Sequence, residues 1–175
     1  MKLKQLTIAL SFSILTQATF AADLACQKDY ESIISKNIIA ISTAFNSRNF
    51  QYIENKTDSS LINYAGGQSA FRNLLEITAN NFKKSNIVVS KVETQPPVDN
   101  YIVGNNEICF IPEKLTLMVN GQEHISESFM LAIRPLISKK WKYLDGAGFK
   151  KHPNMLYILF PDFPRDIKVS FLENQ

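Results

Sequence analysis

Trp141, Tyr143 and Asp145 alternate along the stretch Lys140-Trp141-Lys142-Tyr143-Leu144-Asp145-Gly146, and alternate residues of an extended strand share one face. Two rings large enough to pack against helices then flank a carboxylate at the rim of an apolar surface. Partial desolvation raises the proton affinity of such a carboxylate and suits it to act as a base. With Tyr64 or Tyr101 donating a hydrogen bond to a ligand oxygen, Asp145 would serve an isomerase or dehydratase acting on a small molecule. The plainer reading makes Asp145-Gly146 the turn at a strand end and the tyrosines packing residues that satisfy one hydrogen bond each. In a binding domain without catalysis, Tyr64, Tyr101, Trp141, Tyr143 and Asp145 are the expected ligand- or partner-binding residues.

Other chemistries find little support. His124 and His152 are far apart in sequence with no Asp, Glu or Cys cluster beside them, so no metal site is expected. Gly67-Gln68-Ser69-Ala70 lacks the glycine pattern of a nucleophile elbow and has no neighbouring base. Phosphate-cradling glycine loops are missing, and no cofactor is expected. Two basic groups, Lys139-Lys140-Trp141-Lys142 and Lys150-Lys151-His152, are ordinary solvated lysines or else contacts for acidic lipid headgroups or an acidic protein face. The formal net charge is +3, two units of it from Lys2 and Lys4. Without those two the balance is nearly neutral, which argues against nucleic acid as a partner.

The chain begins with an export signal. Lys2 and Lys4 precede an apolar run from Leu6 to Leu15, and Thr19-Phe20-Ala21 places small residues where a signal peptidase needs them. Cleavage after Ala21 is expected, giving an exported, periplasmic protein. The run is too short to span a bilayer, and no later segment offers about 20 uninterrupted apolar residues. An acidic residue, Asp23, three places before Cys26 makes a poor lipidation signal. Cys26 and Cys109 are the two cysteines, and an even count in an exported chain reads as one disulfide. The alternative, a reactive thiol, lacks a Cys-x-x-Cys motif or an adjacent His.

The elements that must position these residues follow from periodicity. Tyr30, Ile33, Ile34, Ile38, Ile41 and Phe45 recur at helical spacing and predict a first helix over 27–47. Arg48-Asn49 interrupts it, and Phe50 to Lys56 reads as a second, shorter helix. Thr57-Asp58-Ser59-Ser60 reads as turn and capping chemistry, Gly66-Gly67 as a break, and Ser69 to Lys84 as a third helix. From Ile87 the pattern turns to strands: Ile87-Val88-Val89, a break at Pro96-Pro97 and Asp99-Asn100, then Tyr101-Ile102-Val103 and Ile108 to Ile111. Leu115 to Val119 and Ile125 to Arg134 flank Asn120-Gly121, the dipeptide of a type I′ hairpin turn. Trp141 to Leu144 forms a last strand ended by Gly146 and Gly148. Met155 to Phe160, with Phe163, is apolar on more faces than one helix side can hide. That segment is expected to cover the protein's own sheet or to meet another chain.

Three helices followed by a twisted antiparallel sheet resemble the nuclear transport factor 2-like superfamily, which includes ketosteroid isomerase and scytalone dehydratase. The resemblance rests on Phe45-Asn46-Ser47-Arg48-Asn49-Phe50 at the break between the first helices, on Gly66-Gly67-Gln68-Ser69-Ala70-Phe71 entering the third, and on Lys140 to Gly146 as the final strand. It implies an α+β fold in which three N-terminal helices pack into a curved, mostly antiparallel sheet, a cone-shaped α+β barrel, with a short C-terminal appendage. Boundaries are then 1–21 for the signal peptide, 22–148 for the domain and 149–175 for the extension. The family's isomerases carry a carboxylate base in the stretch corresponding to Ser60 through Ala65, where this chain has Leu61-Ile62-Asn63-Tyr64. The fold does not choose the function. With that machinery missing, the leading expectation is a non-enzymatic domain that binds another exported protein or a small apolar ligand through cone and sheet, a design that an immunity or inhibitor role would also fit. Homodimerisation through the sheet is a further expectation.

Overall fold

The computed structural model describes residues 24–138 and 140–166. The expected signal peptide, Lys139 and the last nine positions lie outside the described residues. The described residues open as a single rod: α1 (Cys26–Asp29), a π turn (Tyr30–Ile34) and α2 (Ser35–Asn46). This is the predicted first helix, and Tyr30, Ile34 and Ile38 form its buried stripe. Arg48, at φ 58°, reverses the chain, and the Asn49 side chain accepts the amide of Tyr52 to start α3 (Phe50–Lys56).

The stretch expected to be only a turn carries a further short helix, α4 (Ser59–Tyr64). Asp58 caps it, accepting from Ser60 N at 2.9 Å and Ser60 Oγ at 2.6 Å. Gly66 and Gly67, at φ 94° and 99°, then turn the chain into α5 (Gln68–Lys84), the predicted third helix.

Five strands follow: β1 (Ile87–Thr94), β2 (Asp99–Val103), β3 (Asn106–Val119), β4 (Gln122–Pro135) and β5 (Lys142–Asp145). Their order is β1-β3-β4-β5, every ladder antiparallel. Strands β1 and β2 share one edge of β3, β1 along Glu113–Val119 and β2 along Asn106–Phe110. Asp99-Asn100, expected to break the strand pattern, instead opens β2, because each has a backbone partner on β3. The separate strands read from Ile108 and from Leu115 are one strand, held together by continuous pairing with β4. Asn120 and Gly121, at φ 51° and 81°, make the expected hairpin turn. A bulge at Ser90 shifts the β1 register and adds to the bending. The sheet curls strongly into a half-barrel, and the fold is α+β.

Strand alternation gives the sheet two buried faces. Cys109, Ile111, Met130, Ala132, Trp141 and Tyr143 meet the rod of α1 and α2 on one. Ile108, Phe110, Phe129, Leu131, Ile133 and Leu144 meet the C-terminal segment on the other. That segment folds as α6 (Ala147–Lys151) and α7 (Met155–Leu159), with Leu156, Phe160 and Phe163 buried against the sheet. Covering the protein's own sheet is therefore the observed outcome for its described part. A disulfide joins Cys26 of α1 to Cys109 of β3. Beside it the fully buried Glu107 accepts from Ala25 N (3.1 Å), Cys26 N (2.9 Å), Asn100 Nδ2 (3.0 Å) and Arg134, through Nε (3.0 Å) and Nη2 (2.5 Å). The loose edge of β5 is met by Thr57 in an isolated parallel bridge to Tyr143 and by Asp58 N donating to Tyr143 O (3.3 Å).

Gly146, where β5 turns into α6, lies so close to β4 that an added Cβ would sit 2.3 Å from Phe129 O. Overpacking of this kind costs about 3 kcal/mol, so Gly146→Ala is expected to lower the denaturation midpoint clearly. Gly148→Ala meets nothing within 4 Å, and in a helix the exchange stabilises by about 0.5–1 kcal/mol. Urea unfolding of the two variants checks both signs.

Candidate functional site

Trp141 and Tyr143 occupy the helix-facing side of the sheet, as their alternation requires, and both are committed to holding the N-terminal rod. Trp141 Nε1 donates to Asp29 Oδ2 at 2.9 Å, and Asn37 Nδ2 donates to the Tyr143 hydroxyl at 3.0 Å. Burial pushes the Tyr143 hydroxyl's pKa well above the ordinary phenol range. Tyr101 lies on the opposite face, its ring edge-on to Phe110 and Phe163 at 5.9 and 5.3 Å between centroids. Tyr64 is exposed at the end of α4. Tyr101 and Asp145 are thus not brought together on one face.

Asp145 follows Tyr143 on the helix-facing side and keeps access to solvent. Its Oδ1 accepts Ala147 N at 2.8 Å, the capping role that its turn chemistry predicts. Burial raises its carboxyl pKa and the Ala147 amide works the other way; solvent access leaves only part of the burial penalty in force.

The same face carries two polar residues that the sequence reading did not single out. Glu113 of β3 and Ser128 of β4 sit directly opposite one another, and both are over nine-tenths buried. Ser128 Oγ has no hydrogen-bond partner among the described residues. Burial first, then the negative charge of Asp145, push the Glu113 carboxyl up to about 8, with Lys150 acting in the opposite direction. Thr94 of β1 continues the row on the far side of Glu113 and ties it to the rod, its Oγ1 lying 2.9 Å from Tyr30 Oη and 2.8 Å from Ser35 Oγ. A protonated carboxyl near an accessible carboxylate can hold or pass a proton and can donate or accept hydrogen bonds. The signal for Glu113 was available: counting back from the Asn120-Gly121 turn places it inward, in phase with Cys109 and Ile111.

A second feature lies at the other end of β4. Ile137 is 100% exposed, on a loop held at several points. Leu136 N donates to Asn105 O (2.8 Å), Ser138 N to Pro135 O (2.9 Å), Lys140 N to Ser138 Oγ (3.1 Å) and Arg134 Nη1 to Ser138 O (3.3 Å). Beside the loop opens a cleft of about 440 Å³ whose lining includes Ser138, Lys140, Lys142, Asp58 and Glu54. Glu54 is buried and gripped by Arg72, through Nε at 2.5 Å and Nη2 at 2.7 Å, and by Gln68 Nε2 at 3.1 Å. The Arg72 hydrogen bonds outweigh burial and hold its carboxyl below the usual range. Lys142 Nζ donates to Asn55 O across the cleft at 2.6 Å.

Of the remaining sequence candidates, His124 is exposed on β4, His152 is exposed just past α6, and Ser69 is exposed on α5. No described helix is long and apolar enough to cross a membrane. No protein-family model, curated protein or solved structure matches the chain.

Glu113 gives the fold a pH signature. Its native proton affinity exceeds that of the unfolded chain, so its contribution is fully present below pH 4.5 and is lost as the pH rises to about 8. The slope reaches at most about 1.4 kcal/mol per pH unit. Asp145 acts in the same direction, whereas the lowered Glu54 and Glu107 act below the ordinary carboxylate range. Urea denaturation between pH 5 and 8 should therefore show falling stability for the native sequence and a much flatter profile for Glu113→Gln.

Proposed function

We propose that this chain is an exported, periplasmic domain of nuclear transport factor 2-like design that works by binding another envelope protein, with the Ile137 loop and its adjoining cleft as the recognition surface. The observation that carries the reading is the complete exposure of Ile137 on a loop fixed by four hydrogen bonds. An apolar side chain held rigidly in water gains when a partner covers it, and little conformational entropy is lost in doing so. Lys140, Lys142, Asp58 and Ser138 give the neighbouring cleft both charge signs and a hydroxyl, the polar surround typical of a recognition patch.

A protein partner is favoured over a small apolar ligand because the chain's own side chains pack both faces of the sheet along Ile108–Ile111 and Phe129–Ile133. Export is supported by the N-terminal segment's composition and by the Cys26–Cys109 disulfide, which suits an oxidising compartment. The order of helices before a curled antiparallel sheet is consistent with the family resemblance.

Burial of one isoleucine contributes about 1.5–3 kcal/mol, so Ile137→Asp should weaken the complex about tenfold or more. Because the side chain touches little of its own protein, the melting temperature should stay within a degree or two. Native mass spectrometry of the exported protein, gently purified from its own compartment, supplies the readout. A stoichiometric heteromeric complex in the native sequence that disappears in Ile137→Asp is the expected result. A partner-free monomer, a homodimer, or a complex indifferent to the substitution would refute this surface.

A further inference from the structure

Buried hydroxyls and carboxyls in native proteins are nearly always hydrogen-bonded, and a cluster that is not points to a missing guest. Glu113 and Ser128 face each other beneath the rod with almost no exposed surface. Ser128 Oγ is unpartnered among the described residues. Asp145 stands one strand further across and two residues along, opposite Met130, and is open to solvent. Its Oδ1 is taken by Ala147 N. The groups facing Glu113 from the elements around it are Asp145 of β5, Lys150 of α6, Ser128 of β4, Thr94 of β1, Tyr30 of the π turn and Ser35 of α2. Tyr30 and Ser35 each bond to Thr94. Lys150 is the cation in this set, and its Nζ donates to Glu127 O at 2.8 Å.

The inventory left facing inward is one carboxyl oxygen set from Glu113, one from Asp145 and one hydroxyl from Ser128. Two carboxyl groups here face a single lysine, so once Glu113 ionises the site is short of one positive charge, and an ammonium group carries three N–H donors and one positive charge. We propose that Glu113, Ser128 and Asp145 together form a binding site for the ammonium group of a small primary amine. The amine enters past Asp145, the solvent-facing member, and its N–H groups are shared among the three side chains. On binding, the Glu113 carboxyl releases its proton to solvent and the new ammonium–carboxylate pair takes its place, so charge in the site is conserved. This site is separate from the Ile137 surface and does not depend on it.

The test uses the full exported chain and ethylamine, which stays protonated across the working range. Isothermal titration calorimetry in two buffers of different ionisation enthalpy should show binding with release of close to one proton at pH 6.5. Affinity should rise by about tenfold per pH unit up to about pH 8 and then level off. Ethanol, of the same size but uncharged, should not bind. A Gly-Lys-Gly peptide blocked at both ends separates a free small amine from a lysine on a larger molecule: ethylamine binding alone supports the proposal, and tighter binding of the peptide overturns the assignment to small amines.

Ser128→Ala should weaken ethylamine about tenfold, the loss of one hydrogen bond to a charged group. Glu113→Gln should abolish the proton release. Because that variant also alters the sheet, the native sequence provides a second readout: saturating ethylamine should move the Glu113 carboxyl titration, followed by carbon NMR, well below 8. Unmoved titration, pH-independent affinity, equal competition by potassium chloride at matched ionic strength, or no binding at all, with the site occupied by ordered water only, would overturn the proposal.

Discussion

A carboxylate with no accessible surface is tolerated only when donors replace its lost water, and at Glu107 they come from three separate parts of the chain. Asn100 brings β2, Arg134 brings β4, and the amides of Ala25 and Cys26 bring the start of α1. Burial opposes the charge, yet Arg134, Asn100 and the two amides outweigh it and hold the carboxyl below its usual range. Removing one member of such a set leaves an uncompensated interior charge, at a cost of about 3–5 kcal/mol. The same arginine lies over the Trp141 ring, 5.5 Å from its centroid, and donates to Ser138 O in the exposed loop. One buried ion pair therefore sets the entry of the N-terminal rod, the start of β5 and the pose of Ile137.

Around that anchor the sheet works as a partition. Its long hairpin, β3 with β4, presents odd-numbered β3 residues to the rod and even-numbered ones to the C-terminal helices. Polar residues collect where the apolar cover on the rod side runs out, first at Asp145, then at Glu113 and Ser128. The aromatic side is closed by Phe110, Phe129, Phe149 and Phe163. The two faces have different fates because different segments cover them: a rod that crosses the sheet over part of its length, and a compact pair of short helices.

Much of this was legible in the residues. Helical spacing located the rod, α3 and α5, and Asn120-Gly121 located the hairpin because its turn type demands positive φ at both positions. What escaped was short or dependent on tertiary pairing. Helix α4 spans six residues, too few to display a period, and is defined by the Asp58 cap. Asp99 and Asn100 have turn-like identities, yet β3 supplies their backbone partners and Glu107 supplies a carboxylate for Asn100. Tyr101 and Asp145 looked like partners because both flank strands; the parity of their own strands puts them on opposite faces. Glu113 was hidden by its identity, since an acid within a strand reads as outward until the hairpin register is counted. Ile137 was passed over because one apolar residue in a reversal looks ordinary until its surroundings are known.

The bond between Cys26 and Cys109 also has a meaning in time. Synthesis runs from the N-terminus, so Cys26 exists 83 residues before the thiol it will join. Its other anchor, the Glu107 carboxylate, is equally late. The Cys26 end of the rod therefore has neither of these two anchors until β3 is made, and β3 gains its own support only when the Asn120-Gly121 turn lets β4 pair back along it. A hairpin with a tight turn closes quickly and without help from distant chain. The start of the rod is thus made well before the partners that fix it, and Cys26 spends that interval as a lone thiol.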